Sequence, residues 1–306
     1  MVSQPGSKGS DWRVHGVFDL GTGGFSHLEL TDNHGAEGLD RGTPEPGDVW
    51  IADRNYARAR VLQNFRDISQ DKADFIVRVR WKAFSLTSSD GTPFHLIEHL
   101  NGLPVDEHPH EVEVLADAGK GRPCLPLRLI VLRKSPEAAE AARKKLRRAA
   151  PRKQKKLDPR SLVAAEFLIL VTSLPAQNYP AEEILAAYRL RWQIELAFKR
   201  LKSLLHIDKL PTRTAAQSWL YAHLILALLS EHLTGEILDF SPQPMLDAGY
   251  VPSLWKVQKT AIKALIRIIL GPVHLDQFLR PDRHLHQCLA HPPRQRKPAV
   301  QYPLRC

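Results

Sequence analysis

The first third of the chain alternates apolar and polar positions. Val14–Leu20 is β-rich and stops at the turn Gly21–Gly24, and Phe25–Thr31 alternates again. Two such runs around a glycine-rich turn predict a hairpin. Asp48–Asp53 is a short apolar run after the turn Pro44–Gly47 and predicts a strand buried on both faces. Tyr56–Arg66 has helical spacing, and Asp74–Trp81 alternates as a strand does. Further on, Phe94–His99, Glu111–Leu115, Leu127–Leu132 and Glu166–Thr172 read as strands. From Ala181 the apolar period lengthens, predicting helices over 181–206, 214–238 and 257–270. The tail after Pro281 is rich in proline and basic residues and reads as irregular. The pattern as a whole is α/β.

One block breaks the pattern. Between Arg143 and Lys156 there are nine basic residues and no acidic one, so nearly the whole net charge of +10 sits in this segment. Its first half permits a helix, which Pro151 should stop. Two readings stay open: a solvated charged loop, or a segment that contacts nucleic acid through Arg143, Lys144, Lys145, Arg147 and Arg148.

Composition excludes several classes. With 306 residues, 43% hydrophobic and 25% charged, the chain can bury a core, so global disorder is excluded. Three scattered cysteines make no disulfide framework, and a reducing, cytoplasmic setting is the default. The longest apolar run, Leu224–Leu229, is far short of a membrane span, so no membrane partner is expected. No phosphate-binding glycine loop and no GxSxG elbow is present, which removes support for nucleotide hydrolysis and acyl transfer. His284, His286, Cys288 and His291 are metal-ligand types in a tight group, but they lack a second spaced pair.

Candidate chemistry lies in Ala187–Ser203. On a helix at 100° per residue, Tyr188, Arg191, Glu195, Lys199 and Lys202 share one stripe about four turns long. Leu190, Ile194, Ala197, Phe198, Leu201 and Leu205 fall on a different arc. One face would bury while its neighbour aligns a phenol, a lone carboxylate and several cations. A phosphodiester enzyme needs that set: a carboxylate for a divalent metal, cations and a phenol for phosphates. The plain alternative is a surface helix decorated by i,i+4 ion pairs. Asp53 is the second candidate, because ligands sit at the carboxyl ends of strands in α/β sheets. Its alternative is a turn or helix N-cap.

These residues carry a family resemblance. The spacing Tyr188-x2-Arg191-x3-Glu195-x6-Lys202 resembles the Y-R-E-K signature of bacterial insertion-sequence DDE transposases of the IS-four type. Ile51–Tyr56 resembles that family's second-aspartate motif, and Pro5–His15 the stretch before it. The resemblance runs from about residue 1 to 240. It implies a ribonuclease-H-like core with a β-rich insertion between the fifth core strand and the last catalytic helix. On that division the core occupies 1–81 and 176–240, the insertion 82–175 with its basic segment 137–157, and a helical C-terminal region and tail 241–306.

The resemblance further implies DNA transposition. Asp53 and Glu195 would be catalytic metal ligands for Mg²⁺, with Mn²⁺ as the alternative. Tyr188, Arg191 and Lys202 would contact phosphates of double-stranded transposon-end DNA, and a homodimer would form the synaptic complex in the bacterial cytoplasm, at the nucleoid. In the family the first aspartate lies upstream of the segment matching Val2–Gly6, so an N-terminally truncated chain is expected. Asp11 and Asp19 are the available substitutes, and Asp19 reads better as a strand-end residue. Three functions therefore stay open: a transposase, a non-cutting relic or inhibitor that binds DNA or a full-length transposase, or a basic RNA- or DNA-associated structural protein unrelated to transposition.

Overall fold

The computed structural model describes residues 12–152, 154, 156–210, 215–239, 251–269, 271 and 290–291. The chain divides into two compact bodies, one from residues 36–192 and the other from 1–35 with 193–306.

The first body is a mixed α/β layer structure. Its strands are β3 (Val49–Ala52), β4 (Asp74–Arg78), β5 (Leu86–Ser88), β6 (His110–Ala116), β7 (Leu125–Arg133) and β8 (Phe167–Thr172). They form one sheet in the order β3-β4-β8-β7-β6-β5. β3 and β4 are parallel, joined through helix α1 (Ala59–Ser69), and every other neighbour pair is antiparallel. The strands expected within 82–175 thus continue the same sheet as the two before them.

Strand alternation sends residues to two faces. On one face Phe75, Val77, Leu129, Val131 and Val171 pack against Leu62 and Phe65 of α1 and Leu96 and Leu100 of α2 (Leu96–Gly102). On the other, Ile76, Ile130 and Leu170 pack against Ala181, Ile184, Leu185 and Tyr188 of α5 (Ala181–Arg189). Between β7 and β8 in the chain lie α3 (Pro136–Arg152) and α4 (Pro159–Ala165), and Val163 and Ala164 of α4 pack on the α1 side. α3 buries only Ala139 and is otherwise solvated, and its basic residues run to Arg152, one residue past the proline expected to stop it.

The second body contains the hairpin β1 (Trp12–Asp19) and β2 (Gly24–Asp32), as expected. It also holds α7 (Ala216–Asp239), α8 (Leu254–Ile269) and all but the first residue of α6 (Trp192–Leu205). A short ladder pairs β9 (Val251–Pro252) with β10 (Ala290–His291). Ala197, Leu201 and Leu205 of α6 share a core with Phe25 of β2 and with Leu220 and Leu224 of α7.

Three expectations are corrected. Phe94–His99 is not a strand: Leu96 and Leu100, one turn apart, bury together and take the segment into α2. β3 is the doubly covered strand expected only from Trp50 on: Trp50 and Ala52 pack on one face and Ile51 on the other, but it is an edge strand and Val49 is 39% exposed. The helix 181–206 is two helices. Leu190 and Arg191 form a turn, in which the Arg191 N–H donates to the Tyr188 carbonyl at 3.1 Å. The physical reason is that α5 and α6 bury their apolar residues in different cores. Of the tail group, His284, His286 and Cys288 lie outside the described residues, as does Asp11.

Close packing makes one glycine necessary. A Cβ on Gly16 of β1 would lie 2.9 Å from Cε1 of Phe25 and 3.1 Å from Cζ of Phe198. Gly16→Ala should therefore destabilise the second body by roughly 1–3 kcal/mol. Thermal unfolding of the two proteins tests this: an unchanged or higher melting temperature would contradict the packing described.

Candidate active site

Asp53 follows β3 directly. Ala52 and Val77 are register partners, so Asp53 and Arg78 are the next residues of two adjacent parallel strands. Ile51 faces α5, and alternation puts Asp53 on that same side. α5 is laid along this face by Ile184 and Leu185, which bring Tyr188, in its last turn, to the same end of the sheet. Burying each such side chain contributes on the order of 1.5–3 kcal/mol, so the seat of α5 is firm.

The entry to α5 is held as well. Arg128 of β7 lies on this face and is buried. Its guanidinium donates to the Glu111 carboxylate (2.9 Å from Nε) and to the backbone carbonyl of Tyr179 at 2.6 Å. Tyr179 immediately precedes Pro180, the N-cap of α5. An internal arginine thus pins one end of the helix whose other end carries Tyr188.

Around Asp53 the charges are arranged unequally. Its carboxylate is half-buried, yet it accepts no hydrogen bond and joins no ion pair among the described residues. Tyr188 is buried, and its hydroxyl has no hydrogen-bond partner among the described residues. Burial pushes this phenol up from its ordinary range, Asp53 adds to the rise, and Arg191 and Arg78 oppose it. The Arg191 guanidinium stands 5.9 Å from the Tyr188 ring centroid. Tyr56 is raised too, first by burial and then by Glu37 and Asp53. Arg80 donates to Asn55 Oδ1 at 2.7 Å, tying the loop after β4 to the loop after β3.

The geometry joins Asp53, Tyr188 and Arg191 within one body. Glu195, Lys199 and Lys202 lie on α6 in the second body, exposed at one-turn spacings opposite the buried Ala197, Leu201 and Leu205. The stripe is therefore two pieces, divided at the Leu190–Arg191 turn. Asp19 is a turn former: its carboxylate accepts from the Gly21 N–H at 2.7 Å and the Thr22 hydroxyl at 3.0 Å, closing the hairpin. Of the basic helix, Arg143 is paired with Glu140 and Glu166, and Arg147 with Glu140. Lys144, Lys145 and Arg148 are exposed and make no ion pair among the described residues.

Sequence reasoning missed Arg78 and Arg128. Both read as the polar positions of alternating strands, and only the register and the seat of α5 show what they face.

A hard divalent cation takes oxygen donors, and the unpaired carboxylate of Asp53 fits that chemistry. Among the described residues no three Asp, Glu, His or Cys side chains gather into a complete ligand set.

An α/β sheet with an unpaired carboxylate at a strand's carboxyl end, beside a buried phenol and arginines, suits phosphate-ester chemistry. Comparison with known proteins defines the class. A family model described as the transposase DDE domain matches residues 4–230. The chain belongs to the DDE transposase family of bacterial insertion sequences. It is 36% identical over 247 residues to the transposase for insertion sequence element IS421 of Escherichia coli. It matches InsL of insertion sequence element IS186A from Escherichia coli K12 to the same degree. Those matches cover 79% of this chain but 66% of each relative, just under two thirds of their length. The transposase for insertion sequence element IS231F of Bacillus thuringiensis subsp. israelensis is 25% identical over 252 residues, covering 74% of this chain and 50% of that protein.

Because the Tyr188 hydroxyl is buried without a partner, removing it should not weaken the fold. Tyr188→Phe should melt at or slightly above the wild-type temperature. A loss of more than about 1 kcal/mol would mean that the hydroxyl is bonded and structural.

Proposed function

We propose that this chain acts on transposon-end DNA, cutting and joining strands during transposition with a divalent metal ion. The observation that carries this is the Asp53 carboxylate, half-buried yet unpaired, at the end of β3 beside Tyr188 and Arg191. In a protein interior, a carboxylate near arginines that forms no ion pair with them is available to a ligand. Family membership supplies the reaction class.

Asp53 and Glu195 are the proposed ligands of Mg²⁺, or of Mn²⁺ in its place. The ion would supply Lewis-acid activation of a phosphodiester and of the attacking oxygen. Tyr188, Arg191, Lys199 and Lys202 would bind and orient phosphates next to the reacting one. Tyr188 is a protonated donor at neutral pH, as an ordinary phenol is, and burial moves its pKa further up. Lys144, Lys145 and Arg148 would add sequence-independent affinity that falls with salt. Arg143 and Arg147 would contribute less, since their charges already serve Glu140 and Glu166.

A ribonuclease-H-like core is the proposed framework. In its favour are the parallel β3–α1–β4 unit and the carboxylate at the end of its first strand. Residues 1–81 and 176–240 would supply that core, 82–175 the insertion, and 241–306 the C-terminal region. Two copies would hold two transposon ends together. Among the described residues no helix is long and apolar enough to cross a membrane; the proposed setting is the bacterial cytoplasm, at the nucleoid.

Strand nicking tests the reading, with the full chain and DNA carrying the ends of its own insertion sequence. Nicking should require Mg²⁺ or Mn²⁺ and should fall at least about a hundredfold in Asp53→Asn and in Glu195→Gln. Metal-dependent nicking that survives both substitutions would overturn the assignment. DNA binding without any nicking would establish the non-cutting, inhibitory reading instead.

A further inference from the structure

Just past the end of β7, on the Asp53 and Tyr188 side of the sheet by strand alternation, lies one more cation with no ion pair among the described residues. Lys134 is the residue after β7, two positions beyond Leu132, which lies on the α5 side of the sheet. Its backbone N–H still donates to the Glu166 carbonyl, continuing the β7–β8 ladder. The Lys134 side chain is half-buried, and its ammonium donates to the carbonyl of Ala165, at the end of α4, at 2.5 Å. That carbonyl is its one hydrogen-bond partner among the described residues.

The charged surroundings of Lys134 are few. Arg78 of β4 faces it and repels it. The carboxylate of Lys134's neighbour across the ladder, Glu166, is held by Arg133 at 3.2 Å and by Arg143 at 2.6 Å. Arg78 itself makes no ion pair among the described residues, and it bears on the Tyr188 hydroxyl, which lacks a partner. Two cations that form no ion pair among the described residues and a buried hydroxyl without a hydrogen-bond partner, with Arg78 acting on both of the others, are a poor arrangement for stability. They are a good one for an anion, which would bond to all three.

We propose that Lys134 is a phosphate-gripping residue of this site: its ammonium exchanges the Ala165 carbonyl for a DNA backbone phosphate, which it holds together with Arg78 beside Tyr188. The proposal rests on the reading of the protein as a DNA-acting transposase and adds a positioning residue outside the Tyr188–Lys202 motif. It also links the site to the basic helix, since α3 begins two residues after Lys134.

Protonation gives the assay a second readout. Burial, reinforced by Arg78, pushes Lys134 down to about 8. A bound phosphate favours the charged form, so the free protein must take up a proton to bind above that pH. Affinity should fall as pH rises through about 8.

The test measures fluorescence anisotropy of a short labelled DNA duplex against salt and pH, with the full chain and Lys134→Ala, Lys134→Gln and Lys134→Arg. Lys134→Gln keeps a donor for the Ala165 carbonyl but no charge. Wild type should lose affinity above about pH 8. Lys134→Ala and Lys134→Gln should both bind roughly threefold or more weakly, with a salt slope smaller by about 0.9 and no such pH step. Lys134→Arg should keep the affinity and lose the step. If Lys134→Gln matches wild type in slope and pH profile, the lysine is merely structural and the proposal is overturned, while the transposase reading stands. If wild type shows no salt-dependent binding at all, both fall together.

Discussion

The apolar seat of α5 on the sheet is the constraint on which the site depends. Ile184 and Leu185 lie against Ile76, Ile130 and Leu170, and Arg128 fixes the chain where it enters the helix. Nothing in the chemistry of Tyr188 or Arg191 would place them near Asp53 without that packing. The interaction is non-directional and cheap in sequence terms, since it needs only apolar residues at the right spacing. Its consequence is specific, because one end of a rigid helix is thereby set at the carboxyl end of β3.

The electrostatics follow from where the seat ends. Once the apolar contacts run out, the same face carries Asp53, Arg78 and Lys134, while α5 delivers a phenol. These groups do not neutralise each other as a structural network would. Compare Arg66, which satisfies Asp71 and Asp74 and the Ala73 carbonyl together. The contrast between that closed cluster and the open one at Asp53 supports the proposed binding site more than any single residue does.

Much of this was legible in the sequence, for identifiable reasons. The hairpin at 12–32 followed from alternation, β7 and β8 lie where short apolar runs read as strands, β6 lies where Glu111–Leu115 did, and the Y-R-E-K spacing identified the family before any coordinates. Segment 94–99 misled because its apolar residues fit two periods, and burial of Leu100 decided for helix. The division at Leu190–Arg191 was invisible because neither residue breaks a helix. It arises from two cores competing for one segment, which only tertiary structure reveals. Arg78 and Lys134 were missed because a lone basic residue on a strand reads as a solvated position unless its partners are known.

The unpaired carboxylate at the end of β3 is the proposed seat of a divalent cation beside α5. Iron-directed backbone cleavage addresses it directly: Fe²⁺ takes the place of Mg²⁺, and ascorbate with peroxide then cuts the chain close to the bound ion. Cuts should cluster at residues 52–55, at Arg78, near Tyr188 and near Glu195, be suppressed by excess Mg²⁺, and vanish in Asp53→Asn. Cuts that fall elsewhere, or that persist in Asp53→Asn, would contradict the account.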